Sequence, residues 1–181
     1  MKKLLSLTAV LSLVLVLFGC SAAKATNEGY AMYRSSPVGV EIEYPDFWEK
    51  VDDKNERSVA FAAPNEGYAD TFRDNVTIIS EEIGTEPLAF DDYVIEYIKQ
   101  LPSTINKYNK ISEKETTVGE NRAYNVVYEG NTPSGELRLS QTFIQSGKYV
   151  YIYTFMAEPQ SYEYFLKNSE VMLSTFKPLR K

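Results

Sequence analysis

The stretch Tyr149–Ala157, reading YVYIYTFMA, is apolar or aromatic on both faces of any strand it forms. Successive side chains of a strand point to opposite sides, so such a strand must be covered twice. It belongs at the centre of a sheet with a layer packed on each side. The rest of the chain has to supply both the neighbouring strands and the two covers.

The covers are legible as changes of period. Phe90, Tyr93, Val94, Tyr97, Ile98, Leu101 and Ile105 recur at three- and four-residue steps, which predicts an amphipathic helix. Pro87 and Asp91-Asp92 suit its first turn, the acids favouring the positive end of the helix dipole. Pro102 is expected to kink this helix or end its regular part. A second helix opens at Pro159, with Tyr162, Phe165, Leu166, Met172, Leu173 and Phe176 on its buried stripe.

The neighbouring strands show period two. Val40, Ile42 and Tyr44 alternate with Glu41 and Glu43, and Pro45-Asp46 ends the run. Trp48 to Val51, Arg57 to Ala63 and Asn75 to Glu82 complete a first group. Ile111–Val118, Arg122–Glu129 and Glu136–Gln145 precede Tyr149–Ala157 in a second, with Gly119-Glu120-Asn121, residues 131–135 and Ser146-Gly147-Lys148 as turns. The order is four strands, a helix, four strands, a helix. This is an α+β plan, a largely antiparallel meander with helices packed on its faces.

The N-terminus carries an address. Lys2-Lys3 precede an apolar run, Leu4 to Phe18, too short for the ~20 residues a membrane-spanning helix needs. Leu17-Phe18-Gly19-Cys20 follows the pattern of a bacterial lipobox, although Phe18 stands where a small residue is usual. Cleavage between Gly19 and Cys20 with acylation of the Cys20 thiol would leave a lipid anchor on the extracytoplasmic face of a cell membrane, stable because it carries more than one acyl chain. The expected organisation is signal peptide 1–19, lipidated Cys and tether 20–37, and folded domain 38–181. Within the tether, Tyr30, Met32 and Tyr33 allow the alternative of an extra edge strand.

Composition narrows the chemistry. There is no His, and Cys20 is the single cysteine. Ser-His-Asp and Cys-His catalysis, His general bases and His or Cys zinc sites are therefore excluded. The mature part holds 17 basic against 25 acidic residues, a net charge of −8 with no basic cluster, which argues against nucleic acid. With its one thiol acylated the chain has no internal disulfide, and packing must hold it together.

Several residues then take on a collective meaning. Gly39 through Trp48, reading GVEIEYPDFW, is similar to the strand, Tyr-Pro, Trp opening of the PsbP family. Asp74-Asn75-Val76-Thr77, Tyr93 in an amphipathic helix, Gly119 with Ala123 and Tyr124, and Tyr149–Phe155 before a helix ending Ser174-Thr175-Phe176 continue that family's order. The resemblance covers about residues 38–178. It implies an α/β/α sandwich around an antiparallel sheet of about six to eight strands, a fold shared with DcrB-type periplasmic proteins. In its photosynthetic members the family supports calcium and chloride at the photosystem II oxygen-evolving centre.

Two segments stand out as candidate sites. Residues 65–74 form a ten-residue polar loop, in which Glu66, Tyr68, Asp70, Arg73 and Asp74 could take Ca²⁺ or dock a partner. The plainer reading is a packed surface loop with Arg73 paired to an acid. Asp52-Asp53-Lys54-Asn55-Glu56 reads as a solvated hairpin turn, lacking the Gly and terminal Glu of an EF-hand loop. Among the 14 tyrosines, Tyr124 with Tyr128 and Tyr149 with Tyr151 and Tyr153 share strand faces, as core or as an aromatic platform. The expected function is a non-catalytic binding or assembly module working by protein–protein contact. The alternatives are a calcium- or small-ligand-binding envelope protein and a carboxylate-based hydrolase.

Overall fold

A computed structural model describes residues 26–52, 57–65, 67, 72–85 and 89–181. Gly19 and Cys20 lie outside the described residues, as do residues 53–56 of the acidic turn and Glu66, Tyr68 and Asp70 of the polar loop. The elements run β1 (Tyr30–Ser35), β2 (Val40–Pro45), β3 (Glu49–Asp52), β4 (Ser58–Ala62), β5 (Asn75–Glu82), α1 (Ala89–Thr104), β6 (Asn106–Val118), β7 (Asn121–Thr132), β8 (Gly135–Ser146), β9 (Tyr149–Ala157), α2 (Tyr162–Thr175) and β10 (Lys177–Pro178).

The strand that demanded two covers receives them. β9 is the fourth of seven antiparallel strands, in the order β3-β4-β5-β9-β8-β7-β6. Tyr151, Tyr153, Phe155 and Ala157 face one core, with Phe165 and Met172 from α2, Phe176 just after it, and Val40 and Ile42 from β2. Val150 and Ile152 face the other, with Phe90, Val94 and Leu101 from α1. Both expected helical stripes are used, and the layers form the α+β sandwich that the sequence implies.

β2 leaves the main sheet. It pairs with β1 and β10, both antiparallel, in a three-stranded sheet on the α2 side. Of the two readings of the segment before residue 38, its described part shows the edge strand: residues 30–35 pair with β2, and folded structure starts before residue 38. Tyr33 packs edge-on against Phe61 at 5.5 Å, which gives this strand a reason to dock. The same docking changes Glu43. Strand alternation puts it outward, yet it is buried, because Asn27 folds over it and donates its backbone N–H to Glu43 Oε2 at 2.9 Å.

Two boundaries differ from expectation for physical reasons. Pro102 sits inside α1, which continues to Thr104, so the helix absorbs a proline in its last turn. β6 starts five residues before Ile111. It lies at the sheet edge and is exposed over nearly its whole length, so residues 106–110 show no alternation to read. Register shifts after Asn106 and Lys110 interrupt its pairing with β7, and Lys107 takes φ 54°. Bulges and charges of this kind blunt an exposed edge.

Candidate functional site

The polar loop contributes two described candidates, and both hold the loop's base. Arg73 donates Nε to the Ala63 carbonyl at 2.8 Å and Nη1 to Glu49 Oε2 at 2.6 Å. Asp74 is buried and accepts the Glu158 backbone N–H on Oδ1 at 3.0 Å, tying the loop to the junction of β9 and α2. At these two residues the base of the loop is braced, and Arg73 is paired to an acid. Among the described residues no three acidic, His or Cys side chains gather as a metal site.

The paired tyrosines are divided between core and surface. Tyr151 and Tyr153 are buried beneath α2 and β2, their hydroxyls donating to the Gly39 and Ser169 carbonyls at 2.8 Å each. Burial pushes the Tyr153 phenol far above its ordinary range. Those two rings form core. Tyr128 is buried too, its hydroxyl donating to Gln141 Oε1 at 2.9 Å. Gln141 in turn donates Nε2 to Tyr97 Oη and Thr154 Oγ1, both at 3.2 Å. A polar node thereby sits under α1 with its groups satisfied.

Tyr124, one turn of the pleat outward, borders a groove instead. The groove has a volume of about 690 Å³ and runs between α1 and the hairpin of β6 and β7. Phe90, Val94, Ile98 and Tyr124 supply apolar lining, and Ile95 stands 59 % exposed beside them. Three carboxylates line it, and each faces a cation. Arg122 Nη2 meets Asp91 Oδ1 at 2.8 Å and Glu115 Oε1 at 3.2 Å, and Lys110 Nζ meets Glu113 Oε1 at 2.9 Å. The Arg122 guanidinium also lies 5.5 Å from the Phe90 ring centroid. Burial, then the nearby Glu113 charge, raises the Tyr124 phenol above its usual value.

An apolar floor with a self-neutralised charged rim suits an apolar side chain presented by a partner. It does not suit proton transfer, since the hydrogen-bonded Arg122 and Lys110 hold the carboxylates in ion pairs. Sequence reasoning singled out Asp91, Ile98 and Tyr124 for other reasons and missed Ile95, Lys110, Glu113, Glu115 and Arg122. Ile95 carried a usable signal: it is an apolar residue off the helical stripe. Arg122 carried none, because its partners come from a helix and a strand far apart in sequence.

Comparison with known proteins places the architecture. No family model matches the sequence, and no curated protein matches it. Solved structures do. CyanoP, the cyanobacterial PsbP of Synechocystis sp. PCC 6803, superposes with a TM-score of 0.62 at 14 % identity, covering 87 % of this chain and 97 % of its own. The fold is PsbP-like. PA94 of Pseudomonas aeruginosa, a protein of unknown function, gives a TM-score of 0.60 at 19 % identity over 82 % of this chain and 96 % of that one. LpqN of Mycobacterium tuberculosis, involved in cell envelope biogenesis, gives 0.57 at 10 % identity over 82 % and 89 %. No helix among the described residues is long and apolar enough to cross a membrane.

Proposed function

We propose that this chain is a lipid-anchored, extracytoplasmic docking module that acts by protein–protein contact and performs no catalysis. The observation that carries this reading is the placement of the groove relative to the N-terminal segment. Asn27 is held on Glu43, and the Asp46 N–H donates to the Gly29 carbonyl at 3.0 Å, just before β3. The N-terminal segment therefore joins beside the β3 edge of the main sheet, and the groove lies at the β6 edge. Six strand spacings separate those edges, about 28 Å. An anchor at one edge presents the groove outward from the other.

The supporting arguments are independent of one another. The leader and Cys20 follow the lipoprotein pattern, a chain without His or a free thiol lacks the usual catalytic groups, and LpqN, of similar fold, is involved in cell envelope biogenesis. Replacing Cys20 by Ser is expected to move the protein from the membrane fraction to the soluble one, or to leave the precursor uncut. An unchanged membrane fraction would sink the anchoring. For docking, the wild-type chain extracted in mild detergent should migrate on native gels in a species larger than itself. Migration of the wild type as a lone chain would remove the docking reading.

A further inference from the structure

Two aromatic rings stand in water close to the N-terminal segment. Phe47 is 57 % exposed and Tyr164 is 71 % exposed. Phe47 follows Asp46, whose N–H is bonded to Gly29. Its neighbour Trp48 packs edge-on against Phe165 at 5.8 Å, and Tyr164 packs on the same Phe165 at 4.7 Å. Asn168, one helical turn beyond Tyr164 on the same face of α2, donates to the Tyr30 hydroxyl at 3.3 Å. Phe47 and Tyr164 therefore flank the place where the chain runs off toward Cys20.

The distance to that cysteine is short. With β1 docked and Asn27 fixed, seven residue-to-residue steps separate Asn27 from Cys20. Fully extended, those steps span at most about 25 Å. A lipid on Cys20 would hold these rings within reach of the headgroups at high effective concentration, so a contact too weak to bind alone becomes populated. Aromatic side chains favour that interfacial layer.

We propose that Phe47 and Tyr164 form a footprint that rests on the lipid surface and fixes the orientation of the domain, with the β3 edge and the adjoining start of α2 toward the membrane. The inference rests on the lipid anchoring proposed above. Asp46 and Glu163 flank the two rings, so the contact draws on ring insertion and owes nothing to attraction by anionic lipid.

The test uses the full acylated chain in phosphatidylcholine vesicles carrying a lipid-borne quencher. Acylation blocks the Cys20 thiol, so Asp46→Cys or Ile95→Cys supplies one labelling site for a fluorophore, the second beside the groove. Quenching at position 46 is expected to exceed that at 95 at least threefold. Adding Phe47→Ser and Tyr164→Ser to the Asp46→Cys chain is expected to cut quenching by half or more. All four positions are exposed, and unchanged Trp48 emission reports an intact fold. Equal quenching at 46 and 95, or no loss in the double serine variant, overturns the footprint while leaving the anchor standing. A chain found without acyl groups overturns the anchoring and the footprint together.

Discussion

At Glu41 two cations converge on one mostly buried carboxylate. Lys177 Nζ reaches Oε1 at 2.7 Å from β10, and Arg34 bonds Oε2 from β1. The hydrogen bond from Lys177, then that from Arg34, depresses the carboxyl below its ordinary value against the opposing effect of burial. A depressed folded-state pKa means that the stabilisation is complete above the unfolded value near 4.5 and is lost as pH falls through the folded one. Glu41→Gln is therefore expected to cost about 1 kcal/mol at pH 7 and less at pH 3, below the unfolded value. Denaturant melts at both values check it, and an equal cost at both would falsify the pairing. Gln141 is a different case, since it satisfies three hydroxyls inside the α1 core. Gln141→Leu strands Tyr128, Tyr97 and Thr154 and is expected to cost about 2–4 kcal/mol by guanidinium unfolding. A loss below 0.5 kcal/mol, on the order of a surface change, would show the node to be dispensable.

Among the elements, β1 was the hardest to read and does the most to redefine the domain. Its alternation is real, with Met32 and Arg34 outward and Tyr33 half-buried, but six residues among small polar neighbours carry a weak signal. What secures it is tertiary: β2 offers a free edge, and Phe61 offers a ring. A chain begun at residue 38 would lose β1 and the half-burial of Tyr30 and Tyr33. It is expected to be less stable by about 2–4 kcal/mol, with a lower denaturation midpoint. A midpoint equal to the full domain's would restore the longer tether. The helices and β9 lay at the other extreme. Their periods of 3.6 and two-sided burial were set by apolar residues in number, and no later contact could move them.

For the whole molecule, the sheet does the positioning. Seven strands carry the groove about 28 Å from the edge where the N-terminal segment joins, a separation that arises only because β9 returns to pair with β5 and β8 at the centre. Ile95→Arg places a charge over the groove floor without touching either core. Unfolding stability should stay within about 0.5 kcal/mol of the parent, whereas the larger native-gel species should fall to the size of the single chain. Persistence of that species would move docking to another face.

The sequence by itself determined the α+β class, the two helical stripes, the central place of β9 and the exclusion of His chemistry. Each of these follows from residue identity or from a short-range period. The tertiary structure alone decided that β2 leaves the main sheet, that Glu43 turns inward, that Arg73 and Asp74 brace a loop, and that Arg122 bridges Asp91 and Glu115. Those outcomes depend on which distant edges and charges meet, and a period of two or 3.6 residues holds no record of a partner 30 or 130 positions away.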